Sequence, residues 1–192
     1  MKLGNSPAEE LPWEYDKKIR SVVQVSFAMV VIGSLQQISI TSPYVQALVL
    51  RCITVLFILL ISTFFIRKTR YLFTDLKQEK WYILLSYFLW FLPFLSARFS
   101  SEIWSGVLFL WMISLYLEKD ISKRNIFLMG FLAAVSFLVR FQIAFALFGF
   151  FSWLFFIKEE STRFYLKFSV AFIMVLIIGF LFDSWSYETL TC

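Results

Sequence analysis

The stretch Ala97-Arg98-Phe99-Ser100-Ser101-Glu102-Ile103-Trp104-Ser105-Gly106 joins two apolar runs, 81–97 and 103–117, neither of which contains a charged residue. An Arg and a Glu between two such runs are costly in a membrane unless they pair, reach water or serve a function. Arg98 and Glu102 stand four residues apart, so they are also spaced to pair along one helix. The stretch predicts two membrane helices joined by a polar turn.

The composition extends this prediction to the whole chain. Hydrophobic residues make up 60% of the 192 residues and aromatic residues 21%, which is more than a soluble domain of this size can bury. We therefore predict an all-α polytopic membrane protein, with a juxtamembrane segment at 1–43 and a transmembrane helical domain at 44–192. The spans are expected near residues 44–66, 81–97, 103–117, 126–139, 141–157 and 168–182.

The stretch Ser21–Thr41 is apolar but is interrupted by several Gln, Ser and Gly residues. That pattern fits either a packed membrane span or a helix that lies in the membrane interface. If the stretch spans, residues 1–20 are cytoplasmic, and if it lies in the interface, they are exoplasmic. The residues alone leave both arrangements open.

The distribution of basic residues predicts the orientation in the membrane. Eleven Lys and Arg residues fall in three loops that alternation of the spans places on one side, at 67–80, 118–125 and 158–167. The positive-inside rule makes that side cytoplasmic. The net charge of +5 is thereby explained without a nucleic-acid partner. The exoplasmic ends of the helices then carry four charged residues: Arg98, Glu102, Arg140 and Asp183.

Several classes of chemistry are excluded by the residue types. The chain has no His, so His-ligated zinc and His acid–base catalysis are absent, and proton transfer would fall to carboxylates. Its two cysteines, Cys52 in an apolar run and Cys192 at the end, do not form a disulfide framework. No protein metal ligands are predicted. The first twenty residues carry both acids and bases and no long apolar run, so they are not read as a signal peptide.

The four exoplasmic charges have two interpretations. They could mark helix ends, with long side chains that reach the headgroups. Alternatively, they line a polar pocket for an anionic, lipid-linked substrate, because a guanidinium binds two phosphate oxygens at once and a carboxylate suits a sugar hydroxyl. Four aromatic residues are candidates to stack on a sugar: Trp13, Trp104, Trp185 and Tyr187. Most aromatic residues in such a chain nevertheless serve packing.

Four stretches, in order and spacing, resemble glycosyltransferase family 22. This family contains the Alg9- and GPI-type mannosyltransferases and their bacterial relatives, within the GT-C superfamily. Lys2–Ser21 resembles the end of the family's first exoplasmic loop, and Ala97–Glu102 resembles its Arg-x-x-Ser motif at the start of a span. Phe131–Phe141 is similar to its next Arg-bearing span, and Asp183–Tyr187 to its Asp-x-x-x-Tyr stretch. The resemblance covers essentially the whole chain.

The resemblance implies a GT-C-like helix bundle and a transferase. Such an enzyme moves a sugar, usually mannose, from a polyprenyl-phosphate donor to an exoplasmic glycan or glycolipid acceptor, with inversion at the anomeric carbon. The resemblance implies that Arg98 and Arg140 hold the lipid phosphate and that Glu102 orients Arg98 or binds acceptor hydroxyls. The other substrate-binding candidates are Glu14 and Asp183, which would line the acceptor cleft, together with Trp13, Arg20 and Tyr187.

The family's general base comes from an acidic pair that the resemblance places upstream of Met1, after a first span. The chain is therefore expected to be a fragment that lacks this span and this base, and to be inactive or incomplete by itself. The family fold also favours an interfacial Ser21–Thr41. No cofactor is implied beyond the donor substrate, and the use of a divalent metal is left open.

The expected location is a bacterial inner membrane, or the ER membrane of a eukaryote, with the site on the exoplasmic face and membrane lipids as neighbours. The alternative to a transferase is a transporter or flippase for lipid-linked or anionic solutes, since charges around a polar cavity serve transport equally well. A polyprenyl-sugar ligase or polymerase is a third possibility. Broken helices and midplane charges would favour transport. Here the charges are predicted at the exoplasmic edge, and the sequence shows no inverted repeat.

Overall fold

The computed structural model describes residues 22–89, 92–118 and 122–190. These residues form eight α-helices and no strand, which confirms the all-α prediction. The helices are α1 Val23–Gln37, α2 Pro43–Thr69, α3 Leu76–Phe88, α4 Leu92–Ser96, α5 Ser101–Tyr116, α6 Lys123–Val139, α7 Ala144–Trp153 and α8 Thr162–Leu190. A 3₁₀ turn at Arg70–Leu72 continues α2, another at Phe141–Ile143 precedes α7, and a π turn at Leu154–Lys158 follows α7.

Three helical segments of the described chain are long and apolar enough to cross a membrane: Pro43–Leu72, Phe141–Lys158 and Thr162–Ser186. At most 22% of their most apolar stretch is buried inside the protein, so most of their apolar surface faces outward, as a lipid solvent requires. The fold is therefore that of a multi-pass membrane protein. Two further apolar helices, α1 and α5, are shorter.

The apolar run 81–97 differs from the single span that its composition suggests. Helix α3 begins earlier, at Leu76, where the Asp75 side chain accepts a hydrogen bond from the Lys77 N–H at 3.0 Å. The helix ends at Phe88, and the short helix α4 follows. Pro93 is the reason, because proline fits the first turn of a helix but interrupts the hydrogen bonds of a helix interior.

Polar contacts between helices set the direction of the first spans. Helices α2 and α5 run in the same direction. Trp104 Nε1, near the start of α5, donates to Thr54 Oγ1 (3.1 Å) near the middle of α2, and Lys68 Nζ at the end of α2 pairs with Glu118 Oε1 (3.2 Å) just after α5. Helix α3 runs antiparallel to α2, and hydroxyl contacts of 2.6 Å join Thr63 to Tyr87 and Thr69 to Tyr82.

The core of the bundle is the close packing of α6 against α5 and α8. Ser105 Oγ donates to the Ser136 carbonyl at 3.0 Å, and Ser136 Oγ donates to the Ser105 carbonyl at 2.8 Å. Both side chains are fully buried. On the other side of α6, a Cβ at Gly130 would lie 2.6 Å from the Phe168 carbonyl oxygen and 2.8 Å from Ala171 Cβ. Small residues thus allow the three backbones to approach closely.

We expect Gly130→Ala to lower the free energy of unfolding of the protein in detergent by about 1–3 kcal/mol, and with it the melting temperature, because the added methyl group overpacks the α6–α8 contact. The matched control is Gly149→Ala on α7, where an added Cβ meets nothing within 4 Å. That change should be neutral or slightly stabilising, since Ala favours helix over Gly. Equal melting temperatures for the two variants would contradict the close approach of α6 and α8.

Candidate functional site

The candidate site lies where α5 begins and α6 ends, which we call the Arg140 end of the bundle. Helix α5 starts with Ser101 and Glu102, and the Ser100 side chain accepts a hydrogen bond from the Ile103 N–H at 3.5 Å. Helix α6 ends at Val139, and Arg140 adopts an extended conformation before the chain turns into α7. Arg140 alone therefore separates α6 from the 3₁₀ turn that leads into α7, and it carries a guanidinium at this junction.

The Arg140 side chain is held by three neighbours. Its Nη1 lies 2.9 Å from Glu102 Oε1 and 3.4 Å from Ser101 Oγ, and its Nε donates to Gln142 Oε1 at 2.5 Å. The Arg140 side chain is 30% exposed and that of Glu102 is 62% exposed. Glu102 also lies in the first turn of α5, where a negative charge is favoured by the helix dipole. The result is an oriented cation that a ligand can reach.

Arg98 takes a different position from the one that a four-residue spacing allows. It lies in the turn between α4 and α5, three residues before the first residue of α5, so Arg98 and Glu102 do not share a helix. Among the described residues, Glu102 pairs with Arg140 and no ion pair forms at Arg98, whose side chain is exposed. The sequence-predicted pair is thus replaced by a longer-range one.

Asp183 connects α8 to the start of α1. Its Oδ1 accepts a hydrogen bond from the Val22 N–H at 2.9 Å, and a carboxylate is favourable at a helix N-terminus. Phe27 of α1 packs on Trp104 and Phe99, with ring centroids 4.8 Å and 6.3 Å away. Helix α1 is therefore docked against the Arg140 end at both its first residues and its middle.

The other sequence-predicted candidates are placed only in part. Tyr187 lies in α8, four residues after Asp183, but its side chain is outside the described part of the structure, as are all of Trp13, Glu14 and Arg20. Trp104 is packed between Phe27 and Phe57, and its Nε1 is bonded to Thr54. Its ring therefore contributes to helix packing.

Two contacts of the site were not predicted from the sequence. Ser101 and Gln142 both bond to the Arg140 guanidinium. A signal for Gln142 exists, because it is a polar residue two positions from Arg140 within an otherwise apolar run. Over the residues that the structure describes, no group of three Cys, Asp or Glu side chains comes together to hold a metal.

These features define a class: an all-α, multi-pass membrane protein with an accessible, oriented arginine where two helices meet. The chain matches the Alg9-like mannosyltransferase family over residues 6–192 and belongs to that family, which confirms the resemblance. Membership implies, in general, a lipid-linked sugar donor and a glycan acceptor. No curated protein and no solved structure matches the chain.

We expect Asp183→Ala to loosen the start of α1, because the Val22 N–H loses its acceptor. The loss of a helix-terminal bond of this kind costs about 1 kcal/mol, so amide exchange over 22–26 should quicken about fivefold. The control is Asp75→Ala, which removes the N-terminal side-chain bond of α3 and should leave α1 unchanged. Exchange at 22–26 that stays at the wild-type rate in Asp183→Ala would contradict the anchoring role.

Proposed function

We propose that the Arg140 end forms the phosphate site of a membrane mannosyltransferase, which moves mannose from polyprenyl phosphate to a glycan or glycolipid acceptor. The observation that carries this proposal is the Arg140 guanidinium, oriented by Ser101, Glu102 and Gln142 and still 30% exposed, in a chain of a mannosyltransferase family. The family match favours transfer over transport.

The hydrogen-bonding capacity of Arg140 supports phosphate binding. A guanidinium has five N–H donors. Nε is used by Gln142, and Nη1 by Glu102 and Ser101. Within the described residues no contact is made by Nη2, so its two donors remain for phosphate oxygens. Arginine–phosphate bonds are charge-assisted and directional, and the orientation of the side chain is already fixed before the donor arrives.

The chemistry that this geometry would serve is departure of the lipid phosphate. The acceptor hydroxyl oxygen forms a bond to the anomeric carbon, the bond from that carbon to the phosphate oxygen breaks, and negative charge grows on the phosphate. Arg140 stabilises that charge in the transition state. Arg98, exposed in the neighbouring turn, is the second phosphate ligand of this proposal. The hydroxyl proton passes to a general base, which we do not assign to any residue of this chain.

Glu102 and Asp183 have separate roles in the proposal. Glu102 holds Arg140 through one oxygen, and its high exposure leaves its carboxylate able to accept a hydrogen bond from an acceptor hydroxyl. Asp183 holds the start of α1 beside the Arg140 end, where the proposed acceptor cleft would lie. The cleft would also include the residues before α1: Trp13, Glu14 and Arg20.

The proposed location of the site is the exoplasmic face, in a bacterial inner membrane or in the ER membrane. The supporting observation is the distribution of charge along the sequence, because eleven Lys and Arg residues fall in the three loops that alternation of the spans assigns to the side opposite Arg98 and Arg140. A polyprenyl-phosphate sugar presented on that face would meet Arg140 at the membrane boundary, where its phosphate remains hydrated and its tail stays in lipid.

Arg140→Ala is expected to weaken binding of a polyprenyl-phosphate mannose by about tenfold to a hundredfold, since a hydrogen bond to a charged group contributes about 1.5–3 kcal/mol. Binding is measured on the full chain in lipid nanodiscs, alongside transfer of labelled mannose to glycan acceptors. Arg163→Ala is the control, because Arg163 is an exposed cation at the start of α8, and it should bind the donor as the wild type does.

Two results would overturn the proposal. One is wild-type donor binding by Arg140→Ala. The other is equal binding of polyprenyl phosphate and of the uncharged polyprenol by the wild-type chain, because the phosphate would then contribute nothing. A melting temperature measured for each variant separates a loss of binding from a loss of folding.

A further inference from the structure

The connection between α2 and α3, at the end of the bundle opposite Arg140, is a hairpin that we call the basic hairpin (residues 67–81). Thr69 Oγ1 lies 2.6 Å from the Tyr82 hydroxyl, and Phe73 stacks on the Tyr82 ring with centroids 4.6 Å apart. Asp75 supplies the side-chain bond that begins α3. The outward side chains of this hairpin are therefore presented from a fixed backbone.

The outer surface of the basic hairpin combines large apolar side chains with cations. Four apolar residues are more than half exposed, at 71%, 65%, 73% and 56%: Tyr71, Leu72, Leu76 and Trp81. Four exposed cations lie beside them in the sequence, two before Tyr71 and two between Leu76 and Trp81: Arg67, Arg70, Lys77 and Lys80.

The acidic residues of the hairpin neutralise only part of this charge, because two acids stand against four exposed cations. Glu79 lies 3.9 Å from Arg70, which is still 61% exposed, and Asp75 is engaged at the start of α3. Lys68, by contrast, is paired with Glu118 of α5. Arg67, Lys77 and Lys80 make no ion pair with any residue that the structure describes. The surface is thus positively charged as well as apolar.

The position of the hairpin relative to the bilayer follows from α2. The apolar segment Pro43–Leu72 ends inside the hairpin. Its last turns carry Arg67 and Arg70, which are favoured at the headgroups, so Tyr71 and Leu72 are expected close to the membrane boundary. Trp and Tyr side chains are typical of this boundary. The hairpin therefore presents apolar groups to the acyl region and cations to the adjacent headgroup layer.

We infer that the basic hairpin is a binding site for the headgroups of anionic phospholipids, separate from the donor site. An anionic leaflet offers an apolar phase and negative charge in adjacent layers, and it attracts nearby Lys and Arg side chains. A soluble polyanion, such as an acidic segment of another protein, would satisfy the cations but leave Tyr71, Leu72, Leu76 and Trp81 in water. The combined surface therefore matches a lipid.

The test is a lipid titration of the purified full chain in a neutral detergent, followed by native mass spectrometry. The probes are phosphatidylglycerol and phosphatidylcholine with identical acyl chains. Wild-type protein should bind phosphatidylglycerol at least tenfold more tightly. The double variant Lys77→Gln/Lys80→Gln should weaken phosphatidylglycerol binding about 25-fold at low salt, or about fivefold for each cation removed, and leave phosphatidylcholine binding unchanged.

The matched control is Lys123→Gln/Arg124→Gln, which removes the same charge from two exposed residues at the start of α6, at the same end of the bundle. We expect it to change phosphatidylglycerol binding less than threefold. Equal losses in the two double variants would overturn the inference, because net charge alone would then explain binding. Equal wild-type affinity for the two lipids would also overturn it. Melting temperatures verify that both variants fold.

Discussion

The close approach of α6 to α5 and α8 is the constraint on which the remaining structure depends. In a bilayer, lipid tails are as apolar as the side chains, so helices associate through close packing and hydrogen bonds. Here the reciprocal Ser105–Ser136 bonds join α6 to α5, and Gly130 brings α6 against the backbone of α8. Because α6 cannot shift along either neighbour, the residue at its end has a defined position opposite the first turn of α5.

Arg140 uses that position in two ways. Its extended backbone ends α6 and allows the chain to turn at once into the segment Phe141–Lys158. Only 11% of the most apolar stretch of that segment is buried in the protein, so the segment contributes mainly a lipid-facing surface. The Arg140 side chain is held at the junction of α5 and α6 by Glu102 and Gln142. The same residue therefore sets a turn and orients a functional group, and loss of the turn would also displace the guanidinium.

The charges of the bundle are distributed between its two ends. Among the described residues, the Arg140–Glu102 pair lies at one end, and the Lys68–Glu118 and Arg70–Glu79 pairs lie at the other. Charges at helix ends keep contact with water or headgroups, which avoids the cost of placing them at the bilayer centre. The two ends nevertheless differ in character. One end presents Arg140 held by polar neighbours, with Arg98 exposed in the adjacent turn, and the other presents an apolar and basic surface.

The sequence by itself determined the all-α, multi-pass architecture, and it singled out Arg140 and Glu102. It did so because hydropathy, charge and loop composition are properties of consecutive residues. The family was also recognisable from ordered motifs along the chain, and the match over residues 6–192 confirms it. These conclusions needed no knowledge of which helices touch.

Only the tertiary structure decided which residues the charged side chains contact. Glu102 pairs with Arg140, not with Arg98, because α5 begins after Arg98 and the packing of α6 delivers Arg140 to its first turn. Asp183 bonds to Val22 across 161 residues of sequence. Contacts of this separation depend on the register of packed helices, which is set by single small residues such as Gly130 and Ser136. Local patterns of hydrophobicity do not encode that register, so the sequence predicted the charged residues but not how they meet.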